Sequence, residues 1–256
     1  MSVTGKKLLQ SGSGGGGYTT DGLILDLNAN DGSYSSSSTQ WADASGNSKN
    51  FNRNGTGVAW QSEAATGVGS WYFNGGYFNF APPSGGNNGL GHFNLSSFSI
   101  ETWFKYVPYG NNSTPWLWGY DYSSHSSPYY LQYMRIGDYA NTAIGGSNSG
   151  TYATGLSGNN WYQAVTTRNN STLRGQMFIN GQEVGVTDNA NRVLPGAPYG
   201  YSQEVWIGRS NYGNGFGSYS SWYKGWMSLV RFYNKALTNA EVTANYEFSK
   251  TAHGLT

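Results

Sequence analysis

The sequence predicts an all-β fold of short strands with one short helix near its end, and three observations carry that prediction. Composition is the first: the 256 residues hold 38 Gly, 21 Tyr, 11 Phe and 10 Trp, a mixture suited to short aromatic strands joined by tight turns. Several stretches then alternate apolar and polar residues, the period of a half-buried strand. Finally, Tyr223 to Phe248 alternates in its first half and takes helical spacing in its second, which reads as a strand running into a helix. A single all-β sandwich commonly reaches this length.

Residues 1–20 form a Gly-rich N-terminal arm with SGSGGGG at Ser11 to Gly17. Having no side chains to bury, it is a flexible connector or an arm that orders on a neighbour. The domain proper is expected over 21–256. The opening MSVTGKKLLQ lacks the apolar run of roughly 7–15 residues of a secretory signal, and no stretch approaches the roughly 20 apolar residues of a membrane span.

Gly22 to Asn30 is the expected strand partner of the closing element. A polar connection follows, with Trp41, Asp43, Gly46 and Asn47 standing out among serines. Trp71 to Phe80 reads as a hairpin reversing at Asn74-Gly75-Gly76. In Phe98 to Val107, Phe98, Ile100, Thr102 and Phe104 share one face; Ser99, Glu101, Trp103 and Lys105 share the other. Pro115 to Tyr122 places Trp116, Trp118, Tyr120 and Tyr122 on a single face, and Tyr129 to Ile136 is a further strand.

Trp161 to Arg168 and Gly175 to Val184 are expected to pair, the second turning at Asn180-Gly181, a dipeptide that suits the two positive φ angles of a type I′ turn. Glu204 to Gly208 is a strand, and a Gly/Ser/Tyr loop leads back to the closing element. There Thr238 precedes Glu241 by three, the pattern of a capping box, opening a helix with Val242 and Tyr246 on its buried side.

In this order LILDLNAND, WADASGNSKN, WYFNGG, FSIETWFK, NWYQAVTTR, FINGQEV and GWMSLVRFYNKALTNAEV resemble the laminin-G-like or concanavalin A-like jelly-roll domains, over roughly Asp21 to Phe248. DASGN early and VRFYNKALTNAEVTANY late resemble the version found in bacteriophage virion proteins, including head decorations, fibres and tail-associated adhesins. The resemblance implies a two-sheet antiparallel jelly-roll sandwich, usually without catalysis, synthesised in the host cytoplasm and displayed in many copies on the virion. Its implied partners are other virion proteins, docked through the N-terminal arm, and host-surface polysaccharide. A carbohydrate-binding adhesin module without a structural virion role is the alternative.

The residues themselves bound the chemistry. With 14 Lys and Arg against 13 Asp and Glu, the chain has no electrostatic footprint for nucleic acid or an anionic membrane. It has no cysteine, hence no disulfide framework and no thiolate zinc site. No closely spaced carboxylates of a glycosidase are visible: Glu101 is the only acid on its strand, and Glu183 and Glu204 stand alone. His92, His125 and His253 fall in loops or at the tail, and no G-x-S-x-G occurs.

Two candidate sites remain. Aromatic residues interleaved with small ones suit an amphipathic ligand such as a sugar; they are Tyr212, Phe216, Tyr219, Trp222 and Tyr223 in the loop, and Trp116, Trp118 and Tyr120 on the strand. For the strand residues core packing is the competing fate. Asp43 and Asn47 match an early acidic loop that holds a structural calcium in many laminin-G-like domains, the one cofactor in view. Against this, relatives often carry an acid where this chain has Ser228, and a capped turn is the preferred reading of Asp43.

Overall fold

The computed structural model describes residues 17–31, 33–63, 65–80, 97–108, 116–122, 132–136, 139–143, 152–187, 203–209 and 222–256. The chain opens with β1 (Leu23–Asn28), β2 (Gln40–Trp41), β3 (Phe51–Asn54), β4 (Val58–Ser62), β5 (Gly69–Asn74) and β6 (Tyr77–Phe80). It continues through β7 (Phe98–Tyr106), β8 (Trp116–Tyr122), β9 (Gln132–Ile136), β10 (Tyr139–Ala143) and β11 (Tyr152–Thr154). It closes with β12 (Trp161–Asn169), β13 (Arg174–Ile179), β14 (Gln182–Thr187), β15 (Gln203–Ile207), β16 (Lys224–Tyr233) and the helix α1 (Asn239–Lys250).

Two antiparallel sheets result. The first runs β14-β13-β12-β7-β16-β5-β4 with β1 also on β16; the second runs β11-β10-β9-β8-β15-β6-β3-β2. Strand β16 organises the first sheet, because it pairs with β7 along one edge and with β5 and then β1 along the other. The expected meeting of the opening and closing strands is therefore observed, Leu23 opposite Tyr233 and Asn28 opposite Leu229.

Leu25, Leu27, Phe73, Phe104, Val230 and Phe232 of the first sheet join Trp41, Phe78, Trp118, Val205 and Ile207 of the second in one buried cluster. Aromatic rings lock the layers at tilted angles: Trp71 meets Phe78 at 4.9 Å and 70°, an arrangement the ring quadrupoles favour. No helix among the described residues is long and apolar enough to cross a membrane.

Local turn chemistry held where it was strongest. Asn180 and Gly181 take φ 51° and 75°, and β13 and β14 pair across them. Thr238 Oγ1 accepts from the Glu241 N–H while the Glu241 carboxylate accepts from the Thr238 N–H, completing the capping box.

The segment Trp71 to Phe80 is not a hairpin. Strand β5 pairs with β16 and β4 in the first sheet, whereas β6 pairs with β15 and β3 in the second. Asn74-Gly75-Gly76 carries the chain across the sandwich. Gly75 has φ 91°, and a Cβ on Gly76 would lie 2.7 Å from Val58 Cγ2 and 2.9 Å from the Asn54 carbonyl oxygen, so a side chain does not fit there. Strands β2, β3 and β4 lie in what reads as a polar connection; each of the first two anchors through one aromatic residue, Trp41 and Phe51, both fully buried.

Candidate functional site

The outer face of the second sheet presents the most ligand-like surface among the described residues. Arg209 lies over two rings, 4.9 Å from the centroid of Tyr77 and 4.9 Å from that of Trp222. The rings meet edge-to-face at 6.0 Å and 64°, and all three residues are half-buried. Each is placed by a rigid neighbour. Tyr77 follows the sheet-crossing turn. Arg209 follows Gly208, whose φ of 86° and closeness to Phe73, 2.5 Å from a hypothetical Cβ, exclude other residues. Trp222 precedes Tyr223, a buried pin whose hydroxyl donates to the Trp226 carbonyl at 3.0 Å.

A strip of amides continues from this platform. Asn54 is the register partner of Tyr77, and Asn52 that of Asn79. Asn54 Nδ2 donates to Asn79 Oδ1 at 2.6 Å, and Gln40 Nε2 donates to Asn52 Oδ1 at 2.8 Å. Aromatic rings flanked by a guanidinium and carboxamides can stack on the C–H face of a sugar while hydrogen bonding its hydroxyls.

On the same face the register joins two acids that look solitary in the sequence. Glu204 of β15 is opposite Asp121 of β8. Two residues on, Trp206 is opposite Asn79 and Gly119, so the pair adjoins the amide strip.

The other predicted site residues have varied positions. Tyr212, Phe216 and Tyr219 lie outside the described residues. Trp118 is in the core, 1% exposed and 6.4 Å from the Phe232 ring, and Tyr223 is fully buried; neither offers its ring to a ligand, because alternation turns both inward. Trp116 and Tyr120 belong to the same strand β8.

Asp43 and Asn47 do not fit a calcium ion. Asp43 Oδ1 accepts from the Asp26 and Ser45 N–H groups and Oδ2 from the Lys49 N–H. Asn47 spends its amide donor on the Ile24 carbonyl at 3.1 Å. These are the bonds of a capped turn, and among the described residues no three acidic or histidine side chains gather as ligands; calcium wants six to eight oxygens.

A second polar cluster sits on the outer face of the first sheet, under α1. Asp26, Arg231 and Glu101 are register neighbours across β1, β16 and β7. Arg231 Nε donates to Asp26 Oδ1 at 3.1 Å, and its Nη1 lies 3.6 Å from Glu101 Oε2. Glu101 also accepts from Trp103 Nε1, Gln163 Nε2 and Asn245 Nδ2, at 3.2, 2.8 and 2.9 Å. Tyr18 closes the cluster, its ring 3.5 Å from the Arg231 guanidinium and its hydroxyl donating to Asp26 Oδ2.

Burial alone lowers the pKa of Arg231, but Asp26 and Glu101 outweigh it and hold the guanidinium above its ordinary value. Burial and the nearby Asp26 push the Tyr18 phenol up to about 12. Covered by the helix and held by these bonds, the carboxylates clamp β1, β16 and β7 together.

His253, assigned by sequence to the tail, is buried beside this cluster. Its ring stacks on Trp103 at 3.9 Å and 16°. Nδ1 lies 2.8 Å from the Ser249 carbonyl and so must donate; Nε2 then accepts from the Ser228 hydroxyl at 2.6 Å. Burial pushes the imidazole down to about 4. Ser228 thus serves a buried histidine.

The family model of the concanavalin A-like lectin/glucanases superfamily matches residues 74–243. The chain resembles the binding domain of botulinum neurotoxin DC, solved with rat synaptotagmin II (TM-score 0.59, 15% identity, 89% of this chain and 52% of that one). It also resembles domain 4 of the arabinanase AbnA from Geobacillus stearothermophilus, solved with arabinotriose (TM-score 0.56, 16% identity, 88% and 98%). A third likeness is to the Trypanosoma rangeli sialidase bound to the inhibitor DANA (TM-score 0.61, 17% identity, 89% and 33%). The chain thus spans about half of the toxin domain and a third of the sialidase. No curated protein matches it in sequence.

Proposed function

Since the chain belongs to the concanavalin A-like lectin/glucanase superfamily, we propose that it is a non-catalytic glycan-binding protein whose ligand lies on the outer face of the second sheet. The observation that supports this reading is Arg209 bracketed by Tyr77 and Trp222 beside the amide strip. The rings supply flat apolar contact, and the guanidinium and amides fix hydroxyl orientation. Removing one ring costs about tenfold in affinity, since a ring stack is worth roughly 0.5–1.5 kcal/mol beyond the area it buries. A glycan array followed by titration of W222A and Y77A is the test; no binding by the unchanged protein at millimolar sugar removes the proposal.

We place this activity on a bacteriophage particle, in a multi-copy accessory subunit docked through the Gly-rich arm. The phage-like order of motifs supports this. Deleting residues 1–20 is expected to abolish incorporation into virions, read from co-purification and stoichiometry, and full incorporation of the truncated protein overturns it.

A second reading rests on Asp121 and Glu204. A retaining glycosidase works with a pair of carboxylic acids, and the register sets these two acids opposite each other. Incubating the glycan found on the array with the protein, alongside D121N and E204Q, separates the readings. Hydrolysis lost in either variant establishes the enzyme; intact glycan establishes the binding module.

A further inference from the structure

Among the described residues, nothing holds the charge that strand β12 carries at Arg168. Arg168 has no solvent exposure, and among the described residues its Nε, Nη1 and Nη2 have no hydrogen-bond partner. Burial alone acts on it, lowering its pKa from the ordinary arginine value. A guanidinium remains charged under such conditions, and a buried charge without a partner is strongly unfavourable.

The register shows where this charge points. Arg168 is opposite Phe98 on β7 and Gly175 on β13. Phe98 belongs to the core between the sheets, so Arg168 faces that interior. Gly175, itself buried, contributes no side chain beside it. The next inward positions are Thr166, opposite Ile100, and Thr102, opposite Ala164. Both threonine hydroxyls are buried and also lack hydrogen-bond partners among the described residues. Successive positions on one face are about 7 Å apart. Arg168 and Thr166 are therefore successive inward positions of β12, flanked by Phe98 and Ile100 on β7 and by Gly175 and Met177 on β13, while Thr102 lies one pair further along on β7.

We propose that this row is a binding site for an oxyanion, a carboxylate or sulfate group borne by a ligand that enters between the sheets. The planar fork of Arg168 takes two oxygens of the anion; Thr166 donates to it, and Phe98 covers the apolar part of the ligand. The site is separate from the Tyr77, Arg209 and Trp222 surface, which lies on the outer face of the other sheet. An acidic sugar supplies such a group, as does a free sulfate ion.

The test is thermal unfolding of the full chain at constant ionic strength with chloride as reference, titrating sodium acetate, sodium glucuronate and sodium sulfate. A ligand bound only by the folded state raises the melting temperature by about 5–10 °C at a hundredfold excess over Kd. Wild type is expected to show this rise. R168M is expected to lose it and to melt in chloride at or above the wild-type temperature. R168K, which keeps charge but not the fork, and T166V are each expected to bind at least about tenfold more weakly. Glucuronate exceeding acetate and sulfate points to a uronic acid, and sulfate exceeding both carboxylates to a sulfated ligand or the free ion. W222A is expected to respond as wild type.

Sulfate stabilises folded proteins generally by exclusion, so only the part of its effect absent from R168M counts. No rise in wild type beyond that of R168M overturns the proposal. So does an R168M melting temperature well below wild type in chloride, which shows that the guanidinium is already partnered. Should R168M not fold, an R168K response equal to wild type overturns it.

Discussion

Arg231 and Arg168 are both buried arginines of the same sheet, on strands separated only by β7, yet they live in opposite conditions. Arg231 faces outward under α1, flanked by Asp26 and Glu101 and covered by Tyr18. Arg168 faces inward with no carboxylate in bonding range among the described residues. Burial by itself therefore does not identify structural charge. A guanidinium ion-paired on both sides holds elements together even though its Nη1 makes no hydrogen bond, whereas one with no carboxylate in range points to a partner outside the chain or to a destabilising defect.

The sharpest way to break this contrast is R231M. It leaves Asp26 and Glu101 buried without their cation and is expected to cost about 3–5 kcal/mol in urea denaturation. A cost below about 1 kcal/mol shows that the cluster is not the clamp described. Next is acid. His253 is held neutral with its pKa down at about 4 against the usual 6.5, so its contribution is fully present above pH 6.5 and is lost as pH falls from 6.5 towards 4. The loss is on the order of 3 kcal/mol, and H253Q is expected to flatten that limb of the urea midpoint against pH. Glu63, whose carboxylate desolvation disfavours but whose bonds from Lys105, Trp161 and Thr66 hold it below its ordinary pKa, destabilises only at lower pH still.

Smaller effects test the edges of the cluster. N245A removes donors to Glu101 and Tyr233 and the acceptor of the Thr19 N–H and is expected to cost about 1–3 kcal/mol. T238A breaks the capping box for about 1 kcal/mol, read as a shift of the urea midpoint without a change of slope. Smallest of all is R168M in chloride, at zero or slightly stabilising; a loss matching that of R231M erases the contrast.

How much of this was legible depended on distance along the chain. The Asn180-Gly181 turn and the Thr238 box rest on neighbours within four residues and were readable. The same is true of β16 and α1. Asn74-Gly75-Gly76 was misread because a tight turn is equally able to reverse a chain within a sheet or lift it to the opposite one, and only long-range pairing decides. Trp118 showed the alternation correctly but not which face was inner.

The Arg231 cluster leaves one signal in the sequence. Trp103, Leu229 and Tyr233 share the polar face with Glu101 and Arg231, and a face so mixed must be covered. The helix itself is readable, but the face it covers is not, because it presents Asn245 and Ser249 inward and so matches a polar surface with polar residues. Tyr77 and Arg209 are 132 positions apart in sequence (209 − 77), and nothing local joins them; Trp222 alone of the platform was foreseen. Asp121 and Glu204 were missed for the same reason.

The meeting of β1 and β16 also has a mechanical meaning. Leu23 begins β1 opposite Tyr233, which ends β16, and the rings of Tyr18 and Phe248 lie 5.6 Å apart. A load applied between residues 17 and 256 therefore enters at one corner of the sandwich. It first meets the Tyr18 clasp and then opens the β1–β16 ladder bond by bond from that end, as a zip, instead of shearing all its bonds at once. Stretched this way, the fold yields at its corner while the crossed core between the sheets stays shut.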